Sequence, residues 1–187
     1  LEPFVPAFKI ASADLTNVPL LRKVARAGKP VLMSAGASTI EEISWALDIL
    51  TEAGAREITL LHCVLRYPNP PELGNITAIN TLREAFGDRV TIGYSDHVTP
   101  TSSGAVPALE LAAVLGARVL EKHFTDDRNG AGNDHYHAFD EKGLSEFVGR
   151  LAELRVLAGD GVLDIEHQKS AIQNARRRIF VAKPLAK

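Results

Sequence analysis

Two short stretches carry histidines in a pattern that suits metal binding. Gly93-Tyr94-Ser95-Asp96-His97 and Glu121-Lys122-His123-Phe124 each close an apolar run with polar groups. Side chains alternate across an extended strand. Ser95 and His97 therefore share one face with Asp96 opposite, and Glu121 and His123 share a face with Lys122 opposite. On neighbouring strands, about 4.8 Å apart, His97 and His123 converge on one ion. Two imidazoles with oxygen ligands suit a borderline divalent ion such as Mn, Fe, Co or Zn. The competing reading is structural, because histidines at strand ends are common as satisfied core or loop residues.

Other runs end in the same way. Lys9 interrupts the apolar run from Ala7 to Ser12, with Asp14 just beyond; Ser34-Ala35-Gly36 closes a second run; His62-Cys63 closes a third, which continues to Tyr67. A lysine is seldom buried unless paired. In a polar mouth Lys9 attracts a phosphate or carboxylate, and Ser12 and Ser34 offer hydroxyls to the same anion. Two alternatives stand beside that reading: an outward lysine whose ammonium reaches solvent, and a Schiff-base lysine. The loop from Arg128 to His137 is glycine-bearing and dense in hydrogen-bonding groups, as suits a segment that folds over a polar substrate. His135 and His137 alternate as a metal clip would, but read better as surface or substrate-contact residues. His62 and His167 are assigned no role.

The elements that position these groups follow a repeating rhythm. Strand-like runs at 7–12, 30–34, 58–63, 90–94 and 117–124 alternate with helical patterns at 18–27, 39–53, 76–86, 102–115 and 141–157. Thr39 with Glu42 forms a capping-box signature for the second helix. Five strand–helix units predict a parallel sheet, either open or part of a (βα)8 barrel, with ligands at the C-terminal strand ends. A complete barrel needs eight strands and about 250 residues. Five cannot close one, so the sheet is open or the chain is a piece of a barrel. Nothing resembling a first strand precedes residue 7, which favours the piece. Residues 160–175 are polar and aperiodic, as in a linker; Arg176-Arg177-Arg178 reads as solvated charge before Ile179-Phe180-Val181-Ala182, the opening strand of another unit.

Composition bounds the rest. The chain has 187 residues, 45% hydrophobic and 24% charged, with a net charge of -2, enough for one core. That balance gives no basic surface for nucleic acid, and no apolar run approaches a membrane span. The first residues lack a signal-peptide pattern. The single cysteine, Cys63, excludes an intramolecular disulfide and makes a reducing, cytoplasmic setting the default.

The strings FKIASADLTN (8–17), GKPVLMSAGAST (28–39), LLHCV (60–64), GYSDH (93–97), LEKHFT (120–125), GNDHYHAFD (132–140) and NARRRIFVA (174–182) together resemble the sialic acid synthase family. The resemblance runs in order along nearly the whole chain. It implies a partial TIM (βα)8 barrel, strands four to eight, over residues 1–158. It also implies a linker over 159–175 and the start of a truncated antifreeze-like domain at 176–187. Family members condense phosphoenolpyruvate with an N-acetylated amino-sugar aldehyde, usually N-acetylmannosamine, releasing phosphate. By position, His97 and His123 match the family's metal ligands, with Mn2+ the usual ion and Mg2+ or Co2+ the alternatives. Lys9, Ser12, Ser34 and Ser95 match positions that hold phosphoenolpyruvate. Asp14 falls where an acidic residue serves proton transfer or hydroxyl binding, and Tyr67 and Asp134 match sugar-contacting positions. A homodimer is implied for the full-length protein, and inactivity for this piece alone. Val64, Leu65 and Arg66 depart from the family's small polar residues, and Asp14 stands for the commoner glutamate, so legionaminic- or pseudaminic-type substrates stay open. The alternatives are a metal-dependent or Schiff-base aldolase on a similar barrel, and a non-catalytic sugar-binding module.

Overall fold

A computed structural model describes residues 2–101, 107–177 and 179. Five strands, β1 (Phe8–Ile10), β2 (Val31–Ser34), β3 (Ile58–Cys63), β4 (Thr91–Asp96) and β5 (Leu120–Lys122), pair in parallel in chain order. The helices are α1 (Val18–Arg26), α2 (Ile40–Glu52), α3 (Ala78–Phe86), α4 (Pro107–Val114), α5 (Glu141–Ala158) and a short α6 (Lys169–Ala175). Parallel neighbours need a crossover connection, and α1 to α4 supply one between each successive pair.

Helix starts follow from local chemistry. Asn17 accepts from Leu20 N at 3.3 Å and a proline occupies the first turn of α1. The capping box at α2 is present in both directions: Thr39 Oγ1 accepts from Glu42 N at 3.2 Å, and Thr39 N donates to Glu42 Oε2 at 2.8 Å. Asp140 accepts from Gly143 N at 2.7 Å to open α5, which ends at Gly159 with φ of 61°, a conformation that glycine adopts without a Cβ penalty.

The alternation along the strands divides the sheet into two faces. Ile10, Val31, Met33, Leu60, Ile92 and Tyr94 point to the helices, where Leu21, Leu47, Leu50, Ile79, Leu82 and Leu109 close one continuous core. The other face is concave. Lys9 on β1 and Glu121 on β5 approach to 3.5 Å, although the two strands are the opposite edges of the sheet. A flat sheet would hold them about 19 Å apart at the usual strand spacing, so the five strands curl into an arc of a barrel.

Two sequence expectations change, and two others are not tested. The fifth strand is shorter than 117–124, because after Lys122 the chain turns to pair with residue 139: Phe139 N donates to His123 O and Thr125 N to Phe139 O, both at 2.8 Å. The stretch expected to be a linker contains α6, although it is exposed nearly throughout. The expected helix start at 102–106 and most of the expected strand at 179–182 lie outside the described residues.

Candidate active site

The concave face carries a row of polar side chains. Lys9 Nζ donates to Ser34 Oγ at 2.9 Å and sits 3.5 Å from Glu121 Oε1; Ser95 Oγ donates to the same Glu121 oxygen at 2.6 Å. This follows from register, since Ser95 pairs with Glu121 across β4 and β5. Ser12 and Ser34 are buried, and Ser12 Oγ accepts the Gly36 N–H at 2.9 Å. Gly36 admits that approach because a Cβ there would meet Ser12 Oγ at 2.8 Å. Lys9 therefore points inward among hydroxyls, with the Glu121 carboxylate shared between it and Ser95. Asp14 lies in the short helical turn after β1, where it accepts from Asn17 Nδ2 at 3.3 Å. Among the described residues no bond joins it to the imidazoles.

Beyond the row, three imidazoles gather around Tyr67. Ring centroids of His97 and His123 are 5.4 Å apart, those of His123 and His137 4.8 Å, and those of His97 and His137 6.3 Å. Tyr67 lies over His97 at 4.0 Å and is 5.9 Å from each of the other two rings. His97 Nδ1 donates to Val64 O at 2.8 Å, which fixes the tautomer and leaves the lone pair on Nε2. A metal-binding histidine commonly has its second nitrogen held in this way. Burial holds the His97 pKa below the ordinary histidine value, against the opposing Val64 bond, so its ring is neutral at neutral pH. The Cys63 Sγ lies 3.9 Å from His97 Nδ1; burial pushes its thiol up, so it stays protonated.

Asp134 lies between two of the rings, with Oδ2 3.9 Å from His123 Nδ1 and Oδ1 3.7 Å from His137 Nε2. Its φ of 76° is in the left-handed region, which aspartate tolerates better than most residues. The ligand atoms of His123, Asp134 and His137 all lie within 4.8 Å of one another. This group of three could hold a divalent ion, and the His97 ring stands beside it, 5.4 Å from His123 and 6.3 Å from His137 between centroids. The structure thus brings Lys9, Ser34 and Ser95 into one cluster, with Ser12 buried beside Gly36, and Tyr67, His97, His123 and Asp134 into a second.

Two residues of the site go beyond what sequence reasoning selected. Glu121 ties Lys9 to Ser95; its parity with His123 was the available signal. Sequence spacing groups His137 with His135 as a surface or substrate-contact residue, yet the two part company. His135 Nδ1 is 2.7 Å from Thr125 Oγ1, whereas His137 is fully buried with neither ring nitrogen hydrogen-bonded. An unpaired buried polar group costs on the order of 1–3 kcal/mol. Burial, with the neighbouring His123 next in weight, takes its pKa down to about 4, and the ring is a neutral donor of lone pairs.

On the other face of the same strands, Asp96 Oδ2 pairs with Lys122 Nζ at 2.5 Å and Asp96 Oδ1 accepts from Tyr94 OH at 2.7 Å. This network faces away from the cavity and braces β4 against β5.

Residues 1–163 match the NeuB family. An uncharacterized protein of Methanocaldococcus jannaschii is 43% identical over 184 residues, 98% of this chain and 52% of that protein. The N,N'-diacetyllegionaminic acid synthase of Campylobacter jejuni is 37% identical over 179 residues, 94% of this chain and 51% of that protein. The crystal structure of a sialic acid synthetase of Leptospira borgpetersenii superposes with a TM-score of 0.80 at 32% identity, covering 95% of this chain and 61% of that one. This chain spans about half the length of the curated relatives that it matches.

Proposed function

This chain belongs to the NeuB family, and from that premise we propose that its parallel half-barrel supplies the C-terminal part of a site that condenses phosphoenolpyruvate with an N-acetylated amino-sugar aldehyde. The methylene carbon of phosphoenolpyruvate bonds to the aldehyde carbon, whose oxygen takes up a proton; water adds at the carbon that bears the phosphate, giving up a proton, and phosphate leaves with cleavage of that C–O bond. The products are a nine-carbon sialic-type acid and inorganic phosphate. The observation that carries this reading is the adjacency of two clusters in one concave mouth, an ammonium among hydroxyls and an imidazole group.

Each residue has a chemical task in this scheme. Lys9, Ser12, Ser34 and Ser95 hold the phosphate and carboxylate, where a cation and donors balance the charge. Glu121 orients Lys9 and Ser95 for that contact. His97 and His123 hold the divalent cation, Mn2+ in this proposal. When bound there, such an ion supplies Lewis acidity to a carbonyl oxygen. Asp14 and Asp134 bind or exchange protons with the sugar, and the exposed Tyr67 ring forms an apolar wall beside His97. The relative named for N,N'-diacetyllegionaminic acid supports including a diacetylated acceptor among the candidates beside N-acetylmannosamine. Closing the barrel requires three further βα units, and the working protein in this proposal is a homodimer.

The test is phosphate release from phosphoenolpyruvate, with Mn2+ and each amino sugar, by the chain completed with three further βα units of the family. Acceptor-dependent release of phosphate, abolished by Lys9→Met, is expected. Release independent of acceptor, which is hydrolysis, overturns the reading, and condensation with pyruvate in place of phosphoenolpyruvate overturns it in favour of an aldolase.

A further inference from the structure

His137 is a buried polar side chain that the proposed reaction leaves unused. It is fully buried, both its nitrogens are without hydrogen bonds, and it faces His123 with ring centroids 4.8 Å apart. Its Nε2 lies 3.7 Å from Asp134 Oδ1, while the second Asp134 oxygen lies 3.9 Å from His123 Nδ1. A buried imidazole with no partner is an anomaly to be explained, and this one is aimed at a carboxylate already shared with a candidate metal ligand.

We propose that His137 is itself a direct ligand of the divalent cation, bound together with His123 and Asp134, so that the ion is held by three imidazoles once His97 is counted. This deepens the reading given above and rests on its cation site. Three features of the chain carry it. The ligand atoms of His123, Asp134 and His137 lie within 4.8 Å of one another, a span that one ion can bridge by small side-chain shifts. The site is anchored from both sides: the Phe139 N–H bonds to His123 O, so the backbone carrying His137 is pinned to the backbone carrying His123. The third feature is tautomer control at His97, whose Nδ1 is held by Val64 O and whose Nε2 is left for the ion. Tyr67 contacts all three rings and limits their rotation away from the centre.

A site of three imidazoles and one carboxylate differs in chemistry from a two-imidazole site completed by water. It selects borderline first-row ions such as Mn, Fe, Co or Zn over Mg2+, which prefers oxygen ligands. It also leaves fewer positions for solvent, and these are the positions a substrate oxygen would take.

The test counts nitrogens. Mn2+ is titrated into the metal-stripped, folded chain, and pulsed electron paramagnetic resonance on unlabelled and 15N-histidine protein gives the number of imidazole nitrogens at the ion. Three are expected in the wild type and two in His137→Phe, with affinity for Mn2+ weaker by roughly tenfold or more, since even indirect support of a metal ligand is worth about 10–100-fold. The wild-type count does not depend on any variant folding. A count of two in the wild type, or a count and affinity unchanged by His137→Phe, overturns the proposal. Metal-dependent condensation with only two nitrogens at the ion leaves the functional reading standing and removes this one. Three nitrogens without phosphate release do the reverse. A folded chain that binds no Mn2+ removes both the His137 assignment and the cation site on which it rests.

Discussion

Asp96 and Lys122 show how much a single pair is asked to do. Their side chains are 0% and 6% exposed and 2.5 Å apart, and Lys122 also reaches Val98 O. Burial draws the Lys122 pKa down while Asp96 opposes the shift, so the ammonium depends on its partner to remain charged. Removing one partner of a buried pair costs about 3–5 kcal/mol. Asp96→Asn is expected to lose stability on that scale in urea melts. Asp96→Leu with Lys122→Met is expected to recover most of it, because an apolar pair of similar volume leaves no uncompensated charge. His62 carries a different prediction. Its ring stacks on Tyr94 with centroids 5.6 Å apart and bonds to Gly74 O at 3.0 Å, and burial lowers its pKa below the ordinary 6.5 despite that bond. As pH falls through 6.5 the unfolded chain takes up this proton and the folded chain does not, so the folded state is penalised progressively until its own lower pKa is passed. Denaturation free energy should fall between pH 7 and pH 5, and the slope should be shallower in His62→Phe. A slope unchanged by that substitution would show that His62 contributes nothing to it.

At the scale of elements, the strand–helix rhythm was legible because apolar periodicity survives in every unit. The faces of β4 and β5 were legible as well. Ser95 with Glu121, and Asp96 with Lys122, lie on the sides that alternation predicts and pair in register. What pattern could not supply is how the loop after β5 returns. The pairing of Phe139 with the backbone at 123–125 is what converts His137 from a loop residue into a buried one, and it depends on a contact between segments that no local periodicity encodes. The one cue was the short run His137-Ala138-Phe139 before the Asp140 cap, all three of which are buried. Tight packing between strands gives the element-scale prediction. A Cβ on Gly93 would lie 2.5 Å from both Leu61 Cδ2 and Val119 O, and the backbone oxygen cannot rotate aside as a side chain would. Gly93→Ala should therefore push β4 from its neighbours and destabilise the chain by about 1–3 kcal/mol, read from thermal or urea unfolding. A neutral outcome would mean that the strands separate there at no cost.

For the whole molecule, the sequence left an open sheet and a barrel arc as alternatives, because both have the same strand–helix rhythm. Curvature is a property of side-chain reach across the sheet, and the Lys9–Glu121 contact between its two edge strands decides it. The same arc has a consequence at its ends. Among the described residues β1 pairs only with β2, and β5 only with β4 apart from the single bridge at Phe124. Beside β5, an apolar groove runs between α4 and α5, lined by Val114, Leu120, Phe147, Leu151 and Leu154. Along α5 and just beyond, Val148, Val156, Leu157, Val162 and Leu163 are 57–99% exposed. An exposed strand edge is a template for pairing, and apolar surface of this kind marks a packing site when contiguous. In a closed barrel, a further βα unit seated against β5 would cover both. The chain on its own should accordingly self-associate as its concentration rises through the µM to mM range typical of such exposed surfaces. Sedimentation velocity would show a shift to larger species. Supplying three further βα units in one polypeptide should suppress it. If the 187-residue chain stays monomeric across that range, its edges are blocked by other means, and the case for an incomplete barrel loses its physical support.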